Sequence, residues 1–211
     1  MNFILIGFLI FYFMYHTNKY VYRILLFLLG FQIDRTSIKN IPSRSILIST
    51  HTSIYDFIIG MFIYYGYLHK KFNNYILMKK EYEYLTSPFM SIFDIKIKLI
   101  EVQQNKSGLV NQIVDEITYK NNYILYLSPE GTRNYTENLR KGYWVIAKEL
   151  NLDIIFIGID FYKKTIKFET PRKAETYWDD EVDSFKVSAQ LYRPLFPENC
   201  SFYNLKKENK N

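Results

Sequence analysis

Two kinds of apolar pattern divide the chain. Up to residue 33 the apolar residues run on almost without interruption. FILIGFLIFYFMY (3–15) carries no charge, HTNKY (16–20) breaks the run, and VYRILLFLLGFQI (21–33) carries only Arg23. From residue 34 the apolar residues come in short runs instead. SILIS (45–49), NYILM (74–78), IKIKLIEV (95–102), NYILYLS (122–128), DIIFIGIDF (153–161) and TIKFE (165–169) are rich in β-branched and aromatic residues and have the length of strands. Between them lie segments that read as helices: 53–66, 107–120 and 138–150. In the second, Leu109, Ile113, Val114 and Ile117 fall at three- and four-residue steps behind a Ser107 cap. One more helix is expected near 179–192. Such alternation predicts an α/β sandwich, a largely parallel, mixed sheet flanked by helices, over residues 34–204. A hydrophobic N-terminal helix or helix pair (1–33) precedes it, and a polar tail (205–211) follows.

The N-terminal segment raises a membrane question. As a helix the run 3–15 reaches about 20 Å, short of the ~30 Å hydrocarbon core of a bilayer. A secretory signal is a poor reading, because no basic region precedes the run and no small-residue cleavage site follows it. Three readings remain: one tilted spanning helix, two short helices sunk into one leaflet, or a pair of buried core helices. So little of the stretch is polar that membrane contact is expected, with the leaflet-embedded pair favoured.

Composition narrows the classes. With 211 residues, 48% of them hydrophobic and 18% aromatic, the chain can bury a core and is not a disordered polar chain. The net charge of +6 favours anionic partners without choosing among them. A single cysteine, Cys200, excludes an intrachain disulfide and disfavours a zinc site. No metal is expected. Nucleic-acid binding is disfavoured as well, since the Tyr and Phe residues lie mostly inside apolar runs.

Two polar clusters follow strands, where open α/β sheets bind ligands. The first is STHTSIYDF (49–57), with His51 and Asp56. A spacing of five puts two side chains about 140° apart on a regular helix. The pair can meet only if His51 precedes a helix and Asp56 lies in its first turns, with Thr52 or Ser53 as the cap. A carboxylate on one ring nitrogen would fix the tautomer and leave the other as a base. On spacing alone, a histidine satisfied by backbone and an aspartate facing solvent is the favoured reading. The second cluster is SPEGTR (128–133). There Pro129 stiffens the turn, Gly131 lets backbone approach an anion, and Arg133 offers a fork that matches phosphate oxygens. Its plain reading is a surface turn.

Taken together, HTSIYD and SPEGTR resemble the two signature motifs of the glycerolipid acyltransferase family that includes the 1-acylglycerol-3-phosphate acyltransferases. His51 and Glu130 stand in the family's order and spacing. KKEYEYLTSPF (79–89), NKSGLVNQIVDEI (105–117) and LRKGYWVIAKELNLDIIFIGIDF (139–161) resemble the segments between and after them. The resemblance covers roughly residues 40–170. It implies transfer of a fatty acyl group from a thioester, on coenzyme A or acyl carrier protein, to the hydroxyl of a lysophospholipid in phospholipid biosynthesis or remodelling. It implies His51 as general base and Asp56 as its orienting partner. Glu130, Gly131, Thr132 and Arg133 would bind the acceptor, with Arg133 on its phosphate and Lys80 as a second cation. No cofactor is implied. The partners are a membrane lipid acceptor, an acyl thioester donor and the membrane surface. The protein would be monotopic or carry a single N-terminal span, with its active site at the cytoplasmic face.

The chain also departs from the family pattern. Gln104 stands where an arginine is expected near the acceptor, with Lys98 or Lys106 as substitutes. Ser128 replaces an aromatic or small apolar residue, and a proline usual in the strand at 153–161 is missing. A catalytically silent lipid-binding relative is the alternative reading. A serine hydrolase is a poor fit, for no G-x-S-x-G elbow presents Ser49, Ser53 or Ser128.

Overall fold

The β-branched runs form a seven-stranded sheet in a computed structural model, which describes residues 19–69, 71–79, 97–102, 108–200 and 202–203. The strands are β1 (Gln32–Ile33), β2 (Arg44–Ile48), β3 (Asn73–Lys79), β4 (Ile97–Val102), β5 (Tyr123–Leu127), β6 (Asp153–Asp160) and β7 (Thr165–Phe168). Their order is β1-β7-β6-β2-β5-β3-β4. From β6 to β4 every pairing is parallel, and β7 runs antiparallel to β6. The sheet is therefore mixed and largely parallel, as the alternating pattern predicts.

Side-chain alternation along each strand feeds two cores. On one face Ile46, Ile48, Tyr123, Leu125, Ile154 and Phe156 join helices α4 (Leu109–Ile117), α5 (Gly142–Glu149) and α6 (Trp178–Ala189). On the other, Leu47, Ile124, Ile155 and Ile157 join α1 (Tyr20–Leu28), α2 (Arg35–Lys39) and α3 (Ile54–Ile63). Both faces of the central strands are covered, which explains their near-continuous apolar sequence. Leu47, Leu125 and Ile155 have no exposed surface, and each contributes roughly 1.5–3 kcal/mol by burial.

Several boundaries differ from the pattern. The α4 helix starts at Leu109 behind Gly108, whose φ of 109° belongs to glycine, so the cap is not Ser107. The α5 helix starts at Gly142, four residues late, because the Arg140 N–H is drawn to the Pro129 carbonyl at 2.8 Å. The α3 helix ends in a π turn (Tyr64–Leu68), whose Gly66 carbonyl accepts from Arg23 Nε at 2.8 Å. Strand β1 is too short to leave a periodic signal. Leu26 and Phe31 are buried in the second core, so this part of the N-terminal segment packs on the sheet. The run 3–15 and the tail 205–211 lie outside the described residues. Among the described residues no helix is long and apolar enough to cross a membrane.

Candidate functional site

Strands β2 and β5 are adjacent and in parallel register, with Ile48 opposite Leu127. Their carboxyl ends therefore deliver STHTSIYD and SPEGTR side by side. Neither cluster needs a long loop, since Ser128 follows β5 directly and His51 comes three residues after β2.

The HTSIYD turn is built by its own side chains. Ser53 is the N-cap of α3, in extended conformation, and its Oγ accepts from the Asp56 N–H at 3.4 Å. Asp56 reaches back, and its Oδ2 accepts from the Ser53 N–H at 2.7 Å and the Thr52 N–H at 2.6 Å. This is a capping box with Asp in place of the usual Glu or Gln. The carboxylate also favours the positive end of the helix. The same Oδ2 lies 3.7 Å from His51 Nδ1. At that separation the pair is an electrostatic contact rather than a hydrogen bond. It leaves Nε2 as the ring nitrogen directed away from the carboxylate. The His51 side chain is 32% exposed and that of Asp56 is 9% exposed, so the imidazole is reachable from solvent and the carboxylate is not. Below the turn the Ser49 and Tyr126 hydroxyls share a hydrogen bond at 3.0 Å. Burial, then the charge of Asp56, holds the Tyr126 phenol protonated above its ordinary range.

Glu130 is not laid out as a surface ligand. It is 4% exposed, and its Oε2 accepts from the His51 backbone N–H at 2.6 Å. Burial pushes its carboxyl up to about 7, against the lowering effect of that N–H and of His51. One motif thus holds the other in place through the carboxylate. Gly131 has φ of 62°, and its N–H donates to the Ser128 carbonyl at 3.1 Å. The Arg140 side chain lies across Gly131 in the space a Cβ would fill. Thr132 Oγ1 accepts from Asn134 N–H at 3.2 Å, and Arg133 is exposed. Arg140 lies in the segment 138–150 that the apolar pattern reads as helix, and the structure places it instead on the turn beside Gly131. The signal was the lysine–glycine step after Arg140, where a helix start frees the preceding residues for the turn. Lys80 and Gln104 lie outside the described residues. His69 stands apart against the Tyr64 and Tyr65 rings.

Among the described residues no cluster of His, Cys, Asp and Glu could hold a metal ion. The arrangement offers a partly exposed imidazole beside a buried carboxylate, at the mouth of a parallel sheet, with Arg133 and Arg140 on the neighbouring turn. That set suits proton transfer from a nucleophile near an anion. The sequence model of the family described as Acyltransferase matches residues 32–167, from the start of β1 to within one residue of the end of β7, and takes in both motifs. A search of curated proteins finds no match.

Proposed function

The chain belongs to the acyltransferase family, and from that premise we propose that it moves a fatty acyl group from a thioester to the hydroxyl of a lysophospholipid. The observation that carries the proposal is the pairing of His51 and Asp56 at 3.7 Å beside the Glu130–Arg133 turn. In the proposed step His51 Nε2 takes the proton of the acceptor hydroxyl as its oxygen attacks the thioester carbonyl. The C–O bond forms and the C–S bond breaks. The departing thiolate takes the proton from the imidazolium, so no proton is gained or lost overall. Asp56 stabilises the imidazolium that forms in between. Base catalysis of this kind contributes roughly 10²–10⁴-fold. Arg133 and Arg140 are the cations offered to a phosphate on the acceptor, through forks that match its oxygens. Coenzyme A or acyl carrier protein is the donor carrier.

A lipid acceptor calls for a membrane surface, and two helices support one. On α1, Ile24, Phe27 and Leu28 are 55%, 75% and 72% exposed. On α3, which packs against α1, Ile54 and Tyr55 are 52% and 53% exposed, within five residues of His51. In sequence the uncharged run 3–15 precedes α1, with the polar HTNK between them. The occupant we assign to this apolar face is one leaflet of a bilayer.

The test is an acceptor panel on detergent-solubilised protein, with labelled acyl-coenzyme A and then acyl-carrier protein. Lyso-acceptors with and without a phosphate headgroup are compared. Preference for the phosphate-bearing acceptor supports the assignment. Transfer to none of them, with either donor, replaces it by the silent lipid binder.

A further inference from the structure

The His51 turn is held from a third direction by a part of the chain outside the family match. After α6 the chain passes back across the sheet. Tyr192 stacks on Phe156 at 6.0 Å, over Gly158, where a Cβ would collide with its ring. The Arg193 carbonyl accepts from the Phe161 N–H at 2.8 Å. Nine residues beyond Arg193, Phe202 is buried with its ring edge-on to Phe185 at 5.7 Å. Between these anchors a short 3₁₀ turn (Pro197–Asn199) sits over the site. There Asn199 Nδ2 donates to the Thr52 carbonyl at 3.3 Å, across 147 positions of sequence. Cys200, 3% exposed, lies close enough to Glu130 and Asp56 that, after burial itself, their charges help push its thiol up to about 11.

The Thr52 carbonyl needs such a partner. Thr52 is 2% exposed and precedes the N-cap, so its C=O points outside the helical ladder, which begins with the carbonyl of Ser53. Its N–H is already given to Asp56. Three consecutive peptide groups, 50–51, 51–52 and 52–53, are then each held by a side chain: Glu130 on the His51 N–H, Asp56 on the Thr52 N–H, and Asn199 on the Thr52 C=O. The last comes from an anchored strap rather than from a neighbouring strand, and it sets how the turn closes onto α3.

We propose that Asn199 is a positioning residue for His51, latching the base-bearing turn from the C-terminal strap through the Thr52 carbonyl. Its kinetic consequence rests on the acyl-transfer reading above, whereas its structural consequence does not. Two variants of the full chain test it. Asn199→Ala removes the side chain, and Asn199→Asp keeps its shape but has no donor. Amide hydrogen exchange is read over residues 49–56 and compared with the strands, and kcat and KM are measured in parallel. One neutral hydrogen bond corresponds to roughly fivefold. Exchange of the 49–56 amides should therefore rise about fivefold in both variants while the β2, β5 and β6 amides stay at wild-type rates. The kcat should fall by a similar factor with both KM values within twofold. Unchanged exchange over 49–56, or a rise spread evenly over the chain, overturns the latch whether or not the wild type transfers acyl groups. A raised KM with unchanged kcat overturns the positioning role and makes Asn199 a binding residue. An inactive wild type with selective exchange at 49–56 sustains the latch and sinks the acyl-transfer reading alone.

Discussion

The carboxylate of Glu130 accepts a hydrogen bond from the backbone N–H of His51 at 2.6 Å, 79 positions away in the chain. Two motifs that look independent in sequence are thus one object. The glutamate holds the His51 turn in place, and Arg133 and Arg140 beside it are exposed to solvent.

That relationship separates two substitutions. Glu130→Gln keeps an oxygen acceptor for the His51 N–H, and Glu130→Ala removes it. Gln is expected to retain kcat within about threefold. Ala, by leaving a buried N–H unpaired at a cost of roughly 1–3 kcal/mol, should lose at least tenfold. Steady-state kinetics of the two variants check this. Equal loss in both would mean that the negative charge, not the acceptor, is what matters.

The same residue governs a pH dependence of stability. Its carboxyl has an ordinary value near 4.5 and stands at about 7 in the fold. Between those values the unfolded chain releases the proton and the folded chain keeps it. Stability is fully present below 4.5, falls as pH rises toward 7, and is flat for this group above that. Urea unfolding at pH 4.5, 5.5, 6.5 and 7.5 should show this decline in the wild type and a smaller one in Glu130→Gln.

Asp56 both caps α3 and lies beside His51, and the two contacts can be pulled apart. Ser53→Ala removes only the cap, and should cost about 1 kcal/mol of stability with activity largely kept. Asp56→Asn keeps an acceptor for the turn but removes the charge beside His51. It should cost little stability and at least tenfold in kcat. Thermal unfolding and kcat measured on both variants decide it. Similar losses of both quantities in the two variants would reduce Asp56 to a helix cap.

Far from the site, Glu181 is fully buried and forms a bidentate pair with Arg172 at 2.7 and 2.9 Å, besides accepting from Tyr143 Oη and the Glu175 N–H. Truncation to Ala removes the shared partner of Arg172 and Tyr143, and because Arg172 is 31% exposed and can be rehydrated the cost is that of losing hydrogen bonds to a charged group, roughly 1.5–3 kcal/mol, rather than that of a fully buried pair. Denaturant unfolding of Glu181→Ala should show a loss of this order, while KM for both substrates in the protein that remains folded stays unchanged.

The cations on the turn make a further prediction. Arg133→Ala and Arg140→Ala should raise the KM for a phosphate-bearing acceptor about tenfold each and leave the donor KM within twofold. An effect confined to the donor would remove them from the acceptor site.

Much of this was legible in the sequence because the central strands are buried on both faces. Runs such as SILIS and DIIFIGIDF have no other place to go, and their spacing fixed the alternation with helices. The His51–Asp56 pair was legible for a different reason: its five-residue spacing needs a helix to begin between the two, and Ser53 can cap one. What escaped were features set by long-range contacts. The helix at 138–150 starts late because Arg140 is bound to Pro129. Glu130 reads as polar and surface-bound until the fold buries it under His51. Asn199 sits in a stretch with no periodicity, and only the return of the chain over the sheet brings it to Thr52.

Whether His51 acts as the base is read most directly from the rate of thiol release from an acyl thioester with acceptor lipid, wild type beside His51→Ala, on preparations matched for folding. Acceptor-dependent release by the wild type and a loss of about 10²–10⁴-fold in the variant are expected. Comparable release by His51→Ala would contradict that role.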